Sequence, residues 1–208
     1  MSRARPQTGR RVVPRGRDAI RGPRIIRIHT EGRVTERDYL NYWGRRNDGV
    51  RVDWGESGMS PAGLVARAQQ DAQASRRSSR RHGSPAFDEI WCVFDVDAHP
   101  DVSQAITEVE QSGINVAVSN PCFELWLVLH RENQRAHVER RRIQQRASRL
   151  GLIDGKSIPD AALRLLSESY EEAKRRAREL DVWHDENDSM PRSNPSSDVW
   201  RLVDRLRS

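Results

Sequence analysis

The sequence predicts an α/β fold: a mostly parallel sheet of about four strands flanked by helices, with a helical C-terminal extension. Two observations indicate this class. Between residues 24 and 130, short apolar runs alternate with segments of helical periodicity, which is the rhythm of parallel strands joined by crossover helices. Beyond residue 134 the apolar residues recur only at helical spacing, so no further strand is expected there.

Four runs rich in β-branched and aromatic residues predict the strands. Each is bounded by residues that favour turns, such as Glu31-Gly32 after the first run and Ser119-Asn120-Pro121 after the fourth. The predicted strands cover residues 25–28, 50–54, 88–94 and 114–118.

Helices are predicted between these strands and through the C-terminal part. A strong start signal is Ser60-Pro61, an N-cap residue followed by proline at the first helical position. His130 ends an apolar helix, where a positive charge would suit the helix C-terminus. Two polar segments, 76–85 and 181–195, are predicted to be loops. The predicted helices cover residues 35–43, 61–75, 102–111, 123–130, 135–150, 160–180 and 199–206.

The length of 208 residues suits one domain with an appendage. Residues 1–21 are rich in Arg, Gly and Pro and predict a flexible basic arm, residues 22–134 an α/β domain, and residues 135–208 a helical part packed on the same core. No apolar run approaches the roughly 20 residues of a membrane span, and no secretory signal is apparent. We therefore expect a cytoplasmic protein in which Cys92 and Cys122 are buried free thiols.

The formal net charge is +6 and the pI is about 10.1. Because Lys156 and Lys174 are the only lysines, nearly all of the positive charge is arginine, whose planar guanidinium matches phosphate oxygens. This balance favours a polyanionic partner such as nucleic acid, although a genome's base composition alone could enrich arginine. The candidate phosphate contacts, which could equally be plain solvated surface, are Arg76, Arg77, Arg80 and Arg81.

Acidic residues follow three of the predicted strands. Glu31 follows the first, Asp95 and Asp97 follow the third, and Glu124 comes shortly after the fourth. Ligands of parallel sheets bind beyond the carboxyl ends of the strands, so we expect these side chains to converge at one edge. Such a cluster needs a positive charge, and hard oxygen ligands suit Mg²⁺ or Mn²⁺.

Four sequence blocks resemble the RloB-like family: HTEGRVTERDYL (29–40), WCVFDVDAH (91–99), SNPCFELWLVLH (119–130) and NPSSDVWRLVDRL (194–206). The Glu-Gly turn and the later D-x-D also resemble the Toprim domain of topoisomerases, primases and OLD-family nucleases. The resemblance implies a Toprim-like sheet and a Mg²⁺-dependent nuclease with Glu31, Asp95 and Asp97 as its acidic core. It further implies an association with bacterial restriction and abortive-infection loci.

In phosphodiester cleavage, Asp95 and Asp97 would hold one metal ion, while Glu31 would bind a second or act as general base. Glu124 could bind directly or through water, or could simply be a helix-start carboxylate stabilised by the helix dipole. Many OLD-type domains carry a second acid four residues after the first. Here Thr35 takes that position, so Glu36 either fills the role, faces solvent or completes a capping box.

Other functions stay open at this point. The rival from another class is a non-catalytic Toprim-like adaptor that binds nucleic acid or a partner ATPase; the intact Glu31, Asp95 and Asp97 argue against it. The chain contains no G-x-x-x-x-G-K-[ST] motif, so any ATP dependence must come from such a partner. The sequence does not distinguish DNA from RNA as the substrate.

Overall fold

A computed structural model describes residues 22–83, 85–96, 106, 109 and 111–208. Its five-stranded sheet has the order β2-β1-β3-β4-β5, in which the first four strands are parallel and β5 pairs antiparallel with β4. The strands are β1 Arg24–Thr30, β2 Val50–Ser57, β3 Glu89–Asp95, β4 Asn115–Asn120 and β5 Ser196–Ser197. The predicted α/β class and mostly parallel sheet are therefore confirmed. The C-terminal part is not strand-free as predicted, because it contributes β5.

Seven helices lie within the described residues. They are α1 Thr35–Gly44, α2 Pro61–His82, α3 Phe123–Leu129, α4 Arg140–Arg149, α5 Asp160–Glu168, α6 Tyr170–Glu186 and α7 Val199–Arg207. Ile106 and Val109 have helical backbone inside the helix predicted for residues 102–111, most of which lies outside the described residues. The predicted basic arm, residues 1–21, also lies outside them. Within the described ranges, no helix combines the length and apolarity needed to cross a bilayer.

Two apolar cores cover the two faces of the sheet. Alternate residues of β3 divide between them: Trp91 and Val93 belong to one core, and Ile90, Cys92 and Phe94 belong to the other. The first core is shared by α1, α3 and the C-terminal helices, while α2 packs on the opposite face. Burial on both faces explains why the central strands read as continuous apolar runs. Both cysteines are buried free thiols, as predicted.

The polar segment 76–85 was predicted to be a loop, and this prediction is wrong over most of its length. Helix α2 continues to His82 and ends at Gly83, whose φ of 76° is the left-handed conformation typical of a residue that closes a helix. The buried Ala72 and Ser75 extend the core-facing stripe of the helix beyond its apolar start. The arginine- and serine-rich residues after position 75 therefore continue a helix whose opposite face already packs on the core.

The single helix predicted for residues 160–180 is instead two. The break is at Ser169, whose hydroxyl donates to the Leu165 carbonyl oxygen at 2.8 Å and so competes with the backbone ladder. Helix α6 then runs to Glu186, six residues into the predicted acidic loop. Buried Ala173, Ala177 and Leu180 keep this charged helix against the first core.

Candidate active site

A cleft of about 680 Å³ opens at the carboxyl edge of the sheet. Among the described residues, seven charged side chains line it, four acidic and three basic: Glu31, Glu36, Asp95, Glu124, Arg33, Arg140 and Lys156. Glu31 follows β1, Glu36 lies in the first turn of α1, Asp95 ends β3, Glu124 lies in the first turn of α3, and Arg140 begins α4. The structure thus brings together Glu31, Asp95 and Glu124, three of the four predicted site residues. Their chemical roles stay predictions.

Parallel pairing of β1 with β3 fixes the first two carboxylates. Thr30 is in register with Val93, and the Glu31 backbone N–H donates to the Val93 carbonyl oxygen at 2.9 Å. The Glu31 side chain crosses to the neighbouring strand, where its Oε2 accepts the Asp95 backbone N–H at 3.1 Å. The two acidic motifs therefore touch directly.

Glu36 is part of the cleft, which corrects the alternative that it faces solvent. Its side chain is only 6% exposed, and its Oε1 accepts the Gly32 backbone N–H at 3.0 Å. This is not a capping box, because the N-cap of α1 is Val34 and the donor lies two residues earlier. Burial, with smaller contributions from the charges of Glu124 and Glu31, raises the pKa of Glu36 to about 7.

This arrangement leaves no room for a side chain at residue 32 unless Glu36 moves. A Cβ at residue 32 would lie 1.9 Å from a carboxylate oxygen of Glu36, far inside van der Waals contact. The spacing E-G-x-x-x-E therefore reflects a turn in which the second glutamate folds back over the glycine. The sequence contained this signal, but only the fold shows that Glu36 points inward.

Asp95 lies at the bottom of the cleft and is 5% exposed. Burial raises the pKa of its carboxyl well above the ordinary value, the charge of Glu36 raises it further, and Arg140 opposes the shift. Glu31 and Glu124 also contribute to the increase. Closely spaced carboxylates whose pKa values are displaced by burial and by one another are a common feature of functional sites.

Arg140 supplies a positive charge to this cluster. Its Nη2 lies 3.0 Å from Asp95 Oδ2. Burial lowers the pKa of the Arg140 guanidinium, but the surrounding negative charges, that of Asp95 first, together outweigh this effect and the net pKa is raised. In the sequence, residues 140–146 form an arginine-rich run within a predicted helix. Nothing in that run shows which arginine turns toward the carboxylates, because this depends on how α4 docks.

Helix α4 also approaches Glu124, whose Oε1 accepts from Gln144 Nε2 at 3.4 Å. Glu124 lies in the first turn of α3, so its position satisfies both predicted alternatives: it stabilises a helix start and it faces the cleft. Asp97, the fourth predicted site residue, lies outside the described residues.

The cleft suits a hard divalent cation by donor type, since it gathers carboxylate oxygens and no cysteine or methionine is among its described lining residues. The buried negative charge of Asp95 also calls for a cation. Among the described residues, however, no three Asp, Glu, His or Cys side chains are placed so that they could hold a metal ion as they stand. Instead a guanidinium lies against Asp95. Glu31, Asp95 and Glu124 therefore fit a metal by chemistry and charge, and the Arg140 guanidinium contacts one of these carboxylates.

The four arginines predicted to contact phosphate lie elsewhere. They occupy the last two turns of α2, all exposed, at the opposite edge of the sheet. The Ser75 hydroxyl, just before these arginines, hydrogen-bonds the backbone of Phe87, which precedes β3. Arg76 donates to the carbonyl oxygen of Ser112, which precedes β4. Both contacts are therefore at the amino ends of the strands. A strand of this length spans roughly 20 Å, so this surface is remote from the cleft. The arginines in question are Arg76, Arg77, Arg80 and Arg81.

The chain matches the model of a known protein family. The model of the family described as RloB-like protein matches residues 26–206, a range that includes the charged residues lining the cleft. A comparison with curated proteins gave no significant match. The resemblance to this family predicted from the sequence is confirmed, and the relation to Toprim domains stays a prediction.

Proposed function

Because the chain belongs to the RloB-like family and gathers four carboxylates in one cleft, we propose that it is a metal-dependent nuclease. It would cleave phosphodiester bonds of DNA or tRNA, using Mg²⁺ or Mn²⁺, as an effector of bacterial antiphage defence. The observation that carries this proposal is the meeting of Glu31, Glu36, Asp95 and Glu124 at the carboxyl edge of the sheet, where ligands of such sheets bind.

Electrostatics supports a cation at this place. Asp95 and Glu36 are buried beside further carboxylates, and both desolvation and like-charge repulsion disfavour their ionised forms. A bound cation would offset both effects. The metal would be held by Glu31, Asp95 and Asp97, with Glu124 bound directly or through water. When bound, it would activate the attacking water and stabilise the leaving oxygen.

The residues of the chain itself have separate tasks in this proposal. Glu31 bonds the Asp95 backbone and so fixes the distance between the two acidic motifs. Glu36 bonds the Gly32 backbone and holds the turn that carries Glu31. The net charge of +6 favours a polyanionic substrate. Any need for ATP would be met by a partner ATPase.

A direct assay tests the proposal. Purified protein is incubated with plasmid DNA, single-stranded DNA and total tRNA, each with Mg²⁺, Mn²⁺ or EDTA. We expect metal-dependent cleavage of at least one substrate and a loss of about 100-fold or more in Asp95→Asn, on the scale of removing a principal electrostatic group. The matched control is Asp48→Asn, which changes the same charge at an exposed site and should cleave like the wild type.

The adaptor remains the second candidate, favoured by the ion pair between Arg140 and Asp95, which gives the most buried aspartate of the cleft a partner from the chain itself. It predicts a different result in the same experiment. Wild type and Asp95→Asn would be equally inert on every nucleic acid, even with a partner ATPase present, and would bind that partner equally well.

A further inference from the structure

We infer that Arg140 is a built-in counterion that the metal must displace, so that metal loading and release of the Arg140 guanidinium are a single event. The inference rests on the proposed function, since the metal is that of the nuclease. It adds a residue outside the predicted acidic motifs and states what that residue does.

The geometry puts the two cations in competition. Arg140 Nη2 lies 3.0 Å from Asp95 Oδ2, which is the distance of a charge-assisted hydrogen bond. A divalent cation bound through this oxygen would compete with the guanidinium for its lone pairs, and a cation bound through either oxygen would repel the guanidinium at close range. The two cations therefore compete for one carboxylate.

The two partners differ in what they can do when the pair separates. The Arg140 side chain is 36% exposed, whereas the Asp95 side chain is 6% exposed. Arg140 can withdraw toward water and remain solvated. Asp95 cannot move toward water in the same way, because it is the last residue of a central strand and its backbone N–H donates to the Glu31 carboxylate. The buried carboxylate thus stays in place and exchanges one cation for another.

Release leaves the guanidinium near the proposed chemistry. Arg140 is the first residue of α4, and Gln144 and Ser148 of the same helix also line the cleft. The freed guanidinium stays on this wall, where a phosphodiester held by the metal would lie. Its planar guanidinium can then donate hydrogen bonds to a phosphate oxygen, as it donated to the Asp95 carboxylate before. Arg140 is in this sense a positioning residue with two successive partners.

Metal binding without substrate gives the first test. Free Mn²⁺ is measured by electron paramagnetic resonance during titration of the wild type, Arg140→Gln, Arg140→Lys and the control Arg141→Gln. Arg141 lies next in α4 and is exposed, so its replacement removes the same charge without affecting the ion pair. Because a competing counterion weakens apparent affinity by the fraction of sites it occupies, we expect Arg140→Gln to bind Mn²⁺ about 10-fold more tightly.

The other variants define the result further. Arg140→Lys keeps the charge and should remain within about 3-fold of the wild type, and Arg141→Gln should match it. Equal Mn²⁺ affinity in wild type and Arg140→Gln would overturn the inference and leave the proposed nuclease standing. No Mn²⁺ binding in any variant would overturn both.

A second test uses the wild-type protein, so that its result does not depend on whether the variants fold. The Nε–H signal of Arg140 is assigned by its absence from the nitrogen–proton spectrum of Arg140→Lys. On titration with Mg²⁺ alone, we expect this signal to shift or broaden in step with the Asp95 backbone signal. An Arg140 signal that stays unchanged while the Asp95 signal moves would overturn the inference.

Discussion

At the scale of single residues, the cleft depends on a position that has no functional group. The Gly32→Ala variant would place a Cβ 1.9 Å from the carboxylate of Glu36, which is 6% exposed and has little room to retreat. We expect a loss of about 1–3 kcal/mol in the free energy of unfolding, measured with urea, and a large fall in cleavage. Gly22→Ala is the control, because a Cβ there meets nothing within 4 Å. Equal stability of the two variants would contradict this geometry.

Asp95 illustrates a conflict between stability and function. Its pKa is higher in the folded protein than in the unfolded chain. In the metal-free protein at pH 8, the ionised Asp95 carboxylate therefore lowers the free energy of unfolding. Asp95→Asn removes this charge and keeps the shape, and the half-buried Arg140 can turn to water. We expect the inactive variant to be more stable than the metal-free wild type at pH 8, on the order of 1 kcal/mol by urea unfolding. The difference should shrink at pH 4. A less stable variant at pH 8 would show that the Arg140 pair outweighs the burial.

The residues of the site were predictable to different degrees. Glu31, Asp95 and Glu124 could be placed together because each follows a parallel strand, and strand ends share an edge. The inward turn of Glu36 depends on Gly32, and the approach of Arg140 depends on how α4 packs. Such contacts between distant segments leave no local pattern in the sequence.

At the scale of secondary structure elements, strands were easier to predict than helix ends. Strands β3 and β4 contain continuous buried apolar runs, and β1 and β2 carry β-branched and aromatic residues at short spacing, so their existence followed from composition. Helix α2 extended past its apolar part because exposed arginines are good helix formers, and only Gly83 marks its end. The two-residue β5 has no strand signal of its own, since its pairing with β4 depends on the tertiary fold.

His130 links three helices and gives a pH prediction. It was expected to be a cation at the end of α3, but burial lowers its pKa to about 3, so the ring is neutral. It contacts the Tyr39 hydroxyl of α1 at 3.0 Å and the Ser169 hydroxyl at 3.2 Å. Since the folded pKa is below the unfolded value of 6.5, this contribution to stability is present above pH 6.5 and is lost as the pH falls toward 3.

The expected effect is measurable by urea unfolding at two pH values. When the pH falls from 7.5 to 5, His130 becomes protonated in the unfolded chain but stays neutral in the folded protein. This difference should lower the free energy of unfolding of the wild type by about 2 kcal/mol. His130→Gln lacks the titrating group, so its stability should change less over this interval, even if it is lower throughout. His137→Gln, at an exposed site, should lose stability like the wild type. An unchanged pH slope in His130→Gln would contradict a neutral buried ring.

At the scale of the whole molecule, negative and positive features lie at opposite ends of the sheet. The carboxylates of the cleft lie beyond the carboxyl ends of the strands, and the exposed arginines of the last turns of α2 lie near the opposite edge. A surface this remote cannot contact the scissile phosphate. It can bind a nucleic acid only at a distance of several nucleotides from the cut, so it should affect affinity and leave the chemical step unchanged.

The last prediction separates these two effects. Replacing Arg76, Arg77, Arg80 and Arg81 together with Ala should weaken substrate binding and flatten its salt dependence by roughly 0.7–0.9 log unit for each phosphate interaction that the substitution removes. Mn²⁺ binding and the cleavage rate at saturating substrate should not change, because the cleft lies at the other edge of the sheet. The matched control replaces the same four residues with Lys. It keeps the charge and should retain the wild-type salt slope, since counterion release depends on charge more than on the guanidinium fork. An unchanged slope in the Ala variant would identify these arginines as plain solvated surface. A slower cleavage step with intact binding would mean that they act on the cleft itself, against the separation seen in the fold.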